Sequence, residues 1–333
     1  MYFVITILII LSLLFVARGR RFSLFIKERT YLLKAFLPYM IFVHHSHFFD
    51  GDFYYVGAFV VAIFFFMSGY GLETKRIVGG AEIINNRYLV NALKKLIAPL
   101  IFPIIVFLLL RLYSVPFSVV LDEDIRKYQF ILPYTWFVVT LIILYFLFYS
   151  CVAIAGKNNN KDTIYYILII TTVLCFSILG KAVGVPSWAR NTTTAFLAGI
   201  FYKRNEIKIT ISLNRYPKLM AGIISALLIV ITIFIKGDII AHENGPLARP
   251  FLAFVWSLFI IPLYSIIPEI KNGVIRYLSS ISYELYICQS IAFILLGDKH
   301  QYQPYLYLLS SFVLCTIVAS MFHYLTQLVL VKK

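Results

Sequence analysis

Long runs of apolar residues recur along the chain, separated by short polar segments that carry most of its charges. A helix needs roughly 20 mostly apolar residues to cross a bilayer, and eleven runs approach that length. Their centres lie near Leu8, Met40, Phe64, Ile104, Ile142, Ile170, Leu197, Leu228, Phe259, Ser290 and Val318. The pattern predicts an all-α fold, a polytopic transmembrane helix bundle of about 11 spans.

Composition agrees with a lipid bilayer as the solvent of this chain. Hydrophobic residues make up 61% of the 333 residues, and the mean hydropathy is +0.87. A soluble domain has an apolar share of about one half. Little chain is left between the runs for a soluble domain, and no repeat of about 20 to 50 residues indicates a solenoid.

The first run, from Tyr2 to Val16, predicts a retained anchor helix. A cleaved signal peptide carries its basic residues before the apolar stretch, whereas Arg18, Arg20 and Arg21 follow this one. We therefore expect an N-terminal anchor and a basic cytoplasmic linker at residues 1–29. A ten-span membrane domain is expected at residues 30–333.

The distribution of charge predicts the topology. Lys and Arg number 30 against 15 Asp and Glu. With the N-terminus outside, 22 of these 30 basic residues fall in segments placed inside, seven fall outside, and Arg111 lies within a span. Cytoplasmic loops collect Lys and Arg, so we expect a cytoplasmic C-terminus in a plasma or inner cell membrane. Topology explains the basic excess, and no nucleic acid is expected as a partner.

The four cysteines lie in apolar runs without a CxxC spacing. Free cysteine behaves as a small apolar residue, so we interpret Cys151, Cys175, Cys288 and Cys315 as core residues. No disulfide and no metal site is predicted from them.

The second run carries the ionisable residues that are the strongest candidates for catalysis. Lys34 stands near its predicted cytoplasmic end, and His44, His45 and His47 stand toward the other end. Lys34 and His45 are eleven residues apart, about 16 Å along a helix and nearly on one face. A neutral imidazole can take a proton from a hydroxyl or attack a thioester. The alternative is that these histidines anchor the helix at the membrane interface.

The third run ends with small residues beside a polar one, at Ser68, Gly69 and Gly71. Small side chains allow a second helix or a ligand to approach the backbone closely. The pattern leaves both readings open.

Six segments, taken in order, resemble the acyltransferase-3 family of integral-membrane acyltransferases. They are Lys34 with His45 eleven residues later, Phe64–Leu72, Lys94–Pro99, Pro133–Phe137 with Tyr145, and Phe196–Phe201 followed by Ser279–Tyr286. Three positions depart from the family pattern. Lys34 stands where most members carry Arg, Leu100 where Tyr is common, and Gln289 where a His often occurs.

The resemblance implies an acyl-CoA co-substrate, with acetyl-CoA as the default, and an acceptor hydroxyl on a surface or exported saccharide or glycolipid. It implies catalytic roles for His45 as the base or nucleophile and for Lys34 at the donor entrance. The residues expected to bind the donor are Ser68, Gly69, Lys75, Arg76, Lys94 and Lys95. For the basic residues among them, topology alone is the alternative explanation.

Three further residues are expected to contact the acceptor or the thioester oxyanion. Arg111 either stabilises the oxyanion or extends to the outer interface. Trp136 either stacks on a sugar or belongs to an interfacial aromatic belt. Glu284 either acts at the site or pairs with Lys34 or Arg276.

Two functions from other classes remain as alternatives. A transporter or flippase for a lipid-linked glycan would carry more intramembrane charges and paired broken helices. A silent scaffold in a glycan-synthesis complex would tolerate loss of His45. The sequence leaves open whether the chain forms a homo-oligomer or joins such a complex.

Overall fold

The computed structural model describes residues 2–46, 56–80, 84–112, 131–156, 160–236, 248–297 and 303–331. All regular secondary structure within these ranges is helical, and they contain no strand. The all-α prediction is therefore confirmed.

Fifteen α-helices follow one another in the described ranges. They are α1 (Tyr2–Ala17), α2 (Lys27–Ser46), α3 (Val56–Gly79), α4 (Asn86–Ile97), α5 (Ile101–Leu112), α6 (Trp136–Ala155), α7 (Lys161–Leu179), α8 (Ser187–Arg190), α9 (Thr194–Arg215), α10 (Pro217–Lys236), α11 (Ala248–Ser265), α12 (Gly273–Ser280), α13 (Ser282–Ile287), α14 (Gln289–Leu296) and α15 (Pro304–Val331). Short 3₁₀ turns at Ala98–Leu100 and Gly180–Val183 extend α4 and α7. Each of the eleven apolar centres predicted from sequence lies in one of these helices.

The helices support a membrane protein, although the predicted number of spans is not confirmed. Five described stretches are long and apolar enough to cross a bilayer, or up to six if a helix pair bent by 109° counts as one span. The five are Asn86–Arg111, Trp136–Ala155, Lys161–Val183, Ala248–Ser265 and Pro304–Val329, and the bent pair is Ser187–Arg215 with Pro217–Ile233. The count of eleven stays a prediction.

The run centred near Ser290 differs from a simple span, because it forms the three short helices α12, α13 and α14. The first break falls at Ile281, whose φ of −97° and ψ of 9° depart from helical values. The second is the single residue Cys288, whose φ of −88° and ψ of −1° stay in the right-handed region. Serine hydroxyls compete for backbone acceptors and weaken a helix, and Ser280 Oγ donates to the carbonyl oxygen of Tyr277 at 2.6 Å. The second break places Gln289 at the start of α14.

The chain divides into two compact units, each assembled from separate segments. Unit 1 contains Met1–Tyr31, Ala58–Ile84 and Ser150–Lys271, and unit 2 contains Leu32–Gly57, Asn85–Tyr149 and Asn272–Lys333. Three of the four cysteines are buried as predicted, whereas Cys175 is exposed. An apolar helix face that meets lipid does not require burial in protein, which explains the exposed thiol on α7.

In unit 1, α11 packs against α9 and α10, and α1 packs against α10 and α11. Polar contacts tie the basic linker to this group. Glu206 on α9 accepts hydrogen bonds from the backbone N–H of Phe25 at 2.6 Å and from the hydroxyl of Tyr70 at 2.9 Å. Lys203 donates to the same carboxylate at 2.9 Å. Glu206 is buried, so three donors stabilise its charge inside the unit.

In unit 2, α15 packs against α5, α13 and α14. Phe42 on α2 contacts Phe293 and Phe312, with ring centroids 4.5 and 5.1 Å apart. The hydroxyls of Tyr39 and Thr316 lie 2.8 Å apart. These contacts hold α2 against α14 and α15, which is the setting of His45.

Within unit 1, α3 and α9 approach so closely that glycine is required at the crossing. A Cβ added at Gly69 would overlap the carbonyl oxygen of Phe196, and one added at Gly199 would overlap that of Phe66. Small residues at a helix crossing allow such backbone contact in a membrane. The packing alternative considered for Gly69 thus has a clear structural basis.

We predict that Gly69→Ala lowers thermal stability in detergent, because the new methyl group overlaps the backbone of α9. Overpacking of this kind costs about 1–3 kcal/mol. Gly71→Ala on the same helix is the matched control, since nothing lies within 4 Å of a Cβ there. Thermal unfolding of the two purified variants measures the difference. Equal unfolding temperatures would contradict the crossing described above.

Candidate functional site

His45 and Lys34 lie on one helix, α2, and both belong to unit 2. The helix continues through Pro38 without a break in its assignment. Eleven residues of helix correspond to about 16 Å along the axis, as expected from the spacing. Both side chains are half-buried, and each has interactions with neighbouring groups. The neighbouring His47 lies outside the described residues.

Two side chains far apart in sequence hold the imidazole of His45. Its Nδ1 lies 2.8 Å from Oε1 of Gln289, a residue 244 positions later. Its ring stacks on the ring of Tyr134, with centroids 3.9 Å apart and planes inclined by 12°. The His44 ring lies 5.1 Å away. The stacking on Tyr134 constrains the plane of the imidazole, and the contact with Gln289 constrains the edge that carries Nδ1.

Tyr134 has an unusual backbone conformation for a residue that contacts a candidate base. Its φ of 70° is the only positive value at a non-glycine residue in the described ranges, and such a conformation costs about 1–3 kcal/mol. The hydroxyl of Tyr286 donates a hydrogen bond to the carbonyl oxygen of Tyr134. Tyr286 is itself buried against Phe137, with ring centroids 5.5 Å apart. Burial also raises the pKa of the Tyr134 phenol, which keeps this ring uncharged.

Gln289 is completely buried, and its amide nitrogen has no hydrogen-bond partner among the described residues. Leaving a buried donor unsatisfied costs about 1–3 kcal/mol. Its neighbours Ile291 and Ala292 are also buried. Among the described residues, the one side-chain hydrogen bond of Gln289 is the contact with His45.

Glu284 is buried on α13, and its Oε1 lies 2.8 Å from Nδ1 of His323 on α15. In the described part of the chain this histidine is its hydrogen-bond partner, in place of the Lys34 or Arg276 considered from sequence. Sequence inspection missed His323 because the two residues are 39 positions apart on different helices.

The other candidates of unit 2 occupy helix ends. Lys94 and Lys95 are exposed in the last turn of α4. Arg111 is half-buried in the last turn of α5, and Trp136 is half-buried at the start of α6. Cations in the last turn of a helix also interact favourably with its dipole, so part of their role is structural.

Ser68, Gly69, Lys75 and Arg76 lie on α3 in unit 1. Gly69 is buried at the crossing with α9, Ser68 is half-buried, and Lys75 is exposed. The candidate residues therefore form two sets, one in each unit.

Arg76 is bound by two carboxylates. Its Nε and Nη2 donate to Glu73 at 2.9 and 2.8 Å, and its Nη1 donates to Asp162 at 2.8 Å. Its guanidinium also lies 4.3 Å from the ring centroid of Tyr165. Glu73 is completely buried, and it also accepts hydrogen bonds from Tyr165 and Tyr166 at 3.0 and 2.5 Å. This network offsets most of the positive charge expected at Arg76.

A cavity of about 240 Å³ opens beside this network in unit 1. Its lining consists of Arg76, Ile77, Gly80, Val152, Ala155, Gly156, Lys161, Asp162 and Tyr165. Sequence inspection identified Arg76 but missed the acidic and aromatic side chains around it. The only signal for them was the Glu73 to Arg76 spacing of three, which places both on one helix face.

Comparison with known proteins identifies the family. The model of the acyltransferase-3 family, described as an acyltransferase domain, matches residues 29–324. No curated protein and no solved structure matches the chain. The matched range includes every candidate residue described above, and it covers nearly the whole sequence. The chain therefore belongs to the acyltransferase-3 family.

Proposed function

We propose that this membrane acyltransferase moves an acyl group, acetyl by default, from cytoplasmic acyl-CoA to a hydroxyl of a surface or exported saccharide. The observation that carries the proposal is the setting of His45, whose imidazole is held between Tyr134 and Gln289 inside the family domain. A half-buried, oriented imidazole suits proton transfer near neutral pH. The saccharide and the acyl-CoA are inferred from the family resemblance of the motifs.

In the direct form of the reaction, His45 takes the proton of the acceptor hydroxyl while the hydroxyl oxygen attacks the thioester carbonyl carbon. A C–O bond forms, and the C–S bond then breaks. The imidazolium returns its proton to the departing CoA thiolate, so His45 ends in its starting state. In the alternative, His45 first accepts the acyl group as an acyl-imidazole and then passes it to the hydroxyl.

Lys34 is proposed to contact the donor before it reaches His45. A Lys inside an apolar helix is costly and is retained where it meets an opposite charge or a ligand. Its position about three turns before His45 on α2 suits a donor that enters from the cytoplasmic end. The exposed Lys75, Lys94 and Lys95 are proposed to attract the phosphates of the donor by charge. Arg76 contributes less, because Glu73 and Asp162 already bind it.

On the acceptor side, Arg111 and Trp136 are proposed to contact the saccharide or the oxyanion that forms on the thioester. A guanidinium stabilises developing negative charge, and an indole offers an apolar face to a sugar ring. Glu284 is proposed to act through His323, its partner at 2.8 Å. The proposed location is the cell membrane, with the N-terminus outside and the C-terminus in the cytoplasm.

We predict that His45→Ala removes the O-acyl groups of the cell's glycan while the protein still inserts. Loss of a general base lowers the rate by about 10²–10⁴-fold. His44→Gln is the matched control, and it should keep activity within a few-fold. The ester content is measured by NMR of the purified glycan, and transfer is measured with labelled acetyl-CoA. Unchanged ester content in His45→Ala would refute the role of His45 in acyl transfer. Normal acylation together with lost glycan export in this variant would favour the flippase.

We predict that Lys34→Met raises the KM for acyl-CoA, because the donor loses a charge-assisted contact. Such contacts contribute about 1.5–3 kcal/mol, which corresponds to roughly 10- to 100-fold in kcat/KM. Lys34→Arg keeps the charge and should retain most of the activity. Lys218→Met, which changes an exposed lysine of α10, serves as the control. A KM equal to that of the unmodified protein would remove Lys34 from the donor path.

We predict that a reporter fused after Lys333 reports a cytoplasmic C-terminus. A fluorescent protein that matures only in the cytoplasm should be bright there, and alkaline phosphatase should be inactive. The same two reporters fused after Lys299, in a segment that the charge pattern places outside, should give the opposite pair of signals. An active phosphatase after Lys333 would contradict the topology.

A further inference from the structure

We infer that Gln289 is a positioning residue that holds His45 in the tautomer with its proton on Nδ1, so that Nε2 carries the lone pair. The inference rests on the proposed acyl transfer by His45 and adds a residue to which the family pattern assigns no such role here. It starts from the 2.8 Å contact between Nδ1 of His45 and Oε1 of Gln289.

The chemistry of the two groups sets the direction of this hydrogen bond. An amide oxygen only accepts hydrogen bonds, so the imidazole must donate from Nδ1 in this arrangement. A neutral imidazole has one proton, and the second nitrogen is then a base. Rotating the amide by 180° would place its N–H₂ group against Nδ1 and move the imidazole proton to Nε2. The orientation of one amide therefore determines which nitrogen accepts a proton.

Packing holds the His45 ring and the helix that carries Gln289 on the two sides of this contact. The ring of His45 lies against Tyr134 at 3.9 Å, and Tyr134 is held by its own carbonyl contact with Tyr286. Gln289 starts α14 directly after the break at Cys288 and is completely buried. Stacking sets the plane of the imidazole, and the hydrogen bond sets its rotation within that plane.

Stability does not explain a glutamine at this position. Its amide nitrogen is buried without a partner in the described part of the chain, and an apolar side chain would not carry that cost of about 1–3 kcal/mol. Residues that orient a catalytic group are often retained at a cost in stability. The unsatisfied amide and the contact with His45 together indicate that the site, not the core, requires Gln289.

During transfer, the hydroxyl proton moves to Nε2 and makes His45 an imidazolium. The N–H at Nδ1 becomes a stronger donor, and the oxygen of Gln289 stabilises that charge without accepting the proton. The new C–O bond forms, the C–S bond breaks, and the proton on Nε2 passes to the thiolate. The hydrogen bond to Gln289 strengthens as positive charge develops on the imidazole, so its effect belongs to kcat.

The test compares two substitutions in the full-length protein, assayed in detergent with labelled acetyl-CoA. Gln289→Met keeps the shape and removes the amide. We expect kcat to fall about 10- to 100-fold, as for other residues that orient a histidine through its second nitrogen. The KM for acetyl-CoA should change less than twofold, and the unfolding temperature should stay equal or rise. Gln327→Met, at an exposed glutamine of α15, is the matched control and should leave both unchanged.

Gln289→Glu supplies the rescue and the pH readout. A carboxylate still accepts from Nδ1, so kcat should exceed that of Gln289→Met. The added negative charge favours the imidazolium, so the acid limb of the pH profile of kcat/KM should move to higher pH. In the described ranges, the titratable side chains whose rings contact His45 are those of His44 and Tyr134, and both are unchanged in these variants.

The outcomes separate this inference from the proposed function. A Gln289→Met protein with normal kcat, alongside an inactive His45→Ala protein, would overturn the positioning role and leave acyl transfer by His45 intact. The inference would also be overturned if kcat fell equally in both Gln289 variants while the acid limb did not move and the unfolding temperature dropped. Gln289 would then be a structural residue. Normal acylation by His45→Ala would overturn the proposed function itself.

Discussion

A polar group inside a bundle of apolar helices must find its partner within the protein, because neither lipid nor an apolar core can satisfy it. The three buried glutamates in the described part of the chain follow this rule. Glu73 is bound by Arg76 and two tyrosines, Glu206 by a backbone N–H, a tyrosine and a lysine, and Glu284 by His323. Each carboxylate connects segments distant in sequence, so the need to satisfy its charge also specifies which helices pack together within its unit.

Gln289 is one of nine described side chains with a buried polar atom that lacks a hydrogen-bond partner, and it is the one that contacts His45. The amide oxygen of Gln289 accepts a hydrogen bond from His45, and its amide nitrogen has no partner in the described structure. Tyr134 likewise keeps a left-handed backbone conformation that a side chain with a Cβ adopts at a cost. Both departures touch the same imidazole. Residues that are unfavourable for folding and meet at one histidine are better explained by chemistry than by stability.

Helix packing supplies the rigidity that this arrangement needs. Aromatic contacts of Phe42 with α14 and α15 hold α2 in unit 2, and the glycine crossing of α3 with α9 brings two backbones together in unit 1. A catalytic imidazole functions only when its orientation is maintained to a fraction of an ångström. In unit 2, packed helices hold His45, and Gln289 at the start of α14 contacts it.

The sequence by itself determined where the helices lie, that they suit a membrane, and which family motifs occur in order. Apolar runs and residue spacing along one helix are local properties, so Lys34 and His45 could be placed on α2 in advance. Only the tertiary structure decided that His45 contacts Gln289 and Tyr134. It also decided that Glu284 contacts His323, and that carboxylates already bind the guanidinium of Arg76. These partners come from different helices, and periodicity along one helix carries no information about which neighbour packs against it. The division of one apolar run into α12, α13 and α14 was equally hidden, because hydropathy reports an apolar run and not where its helix is interrupted.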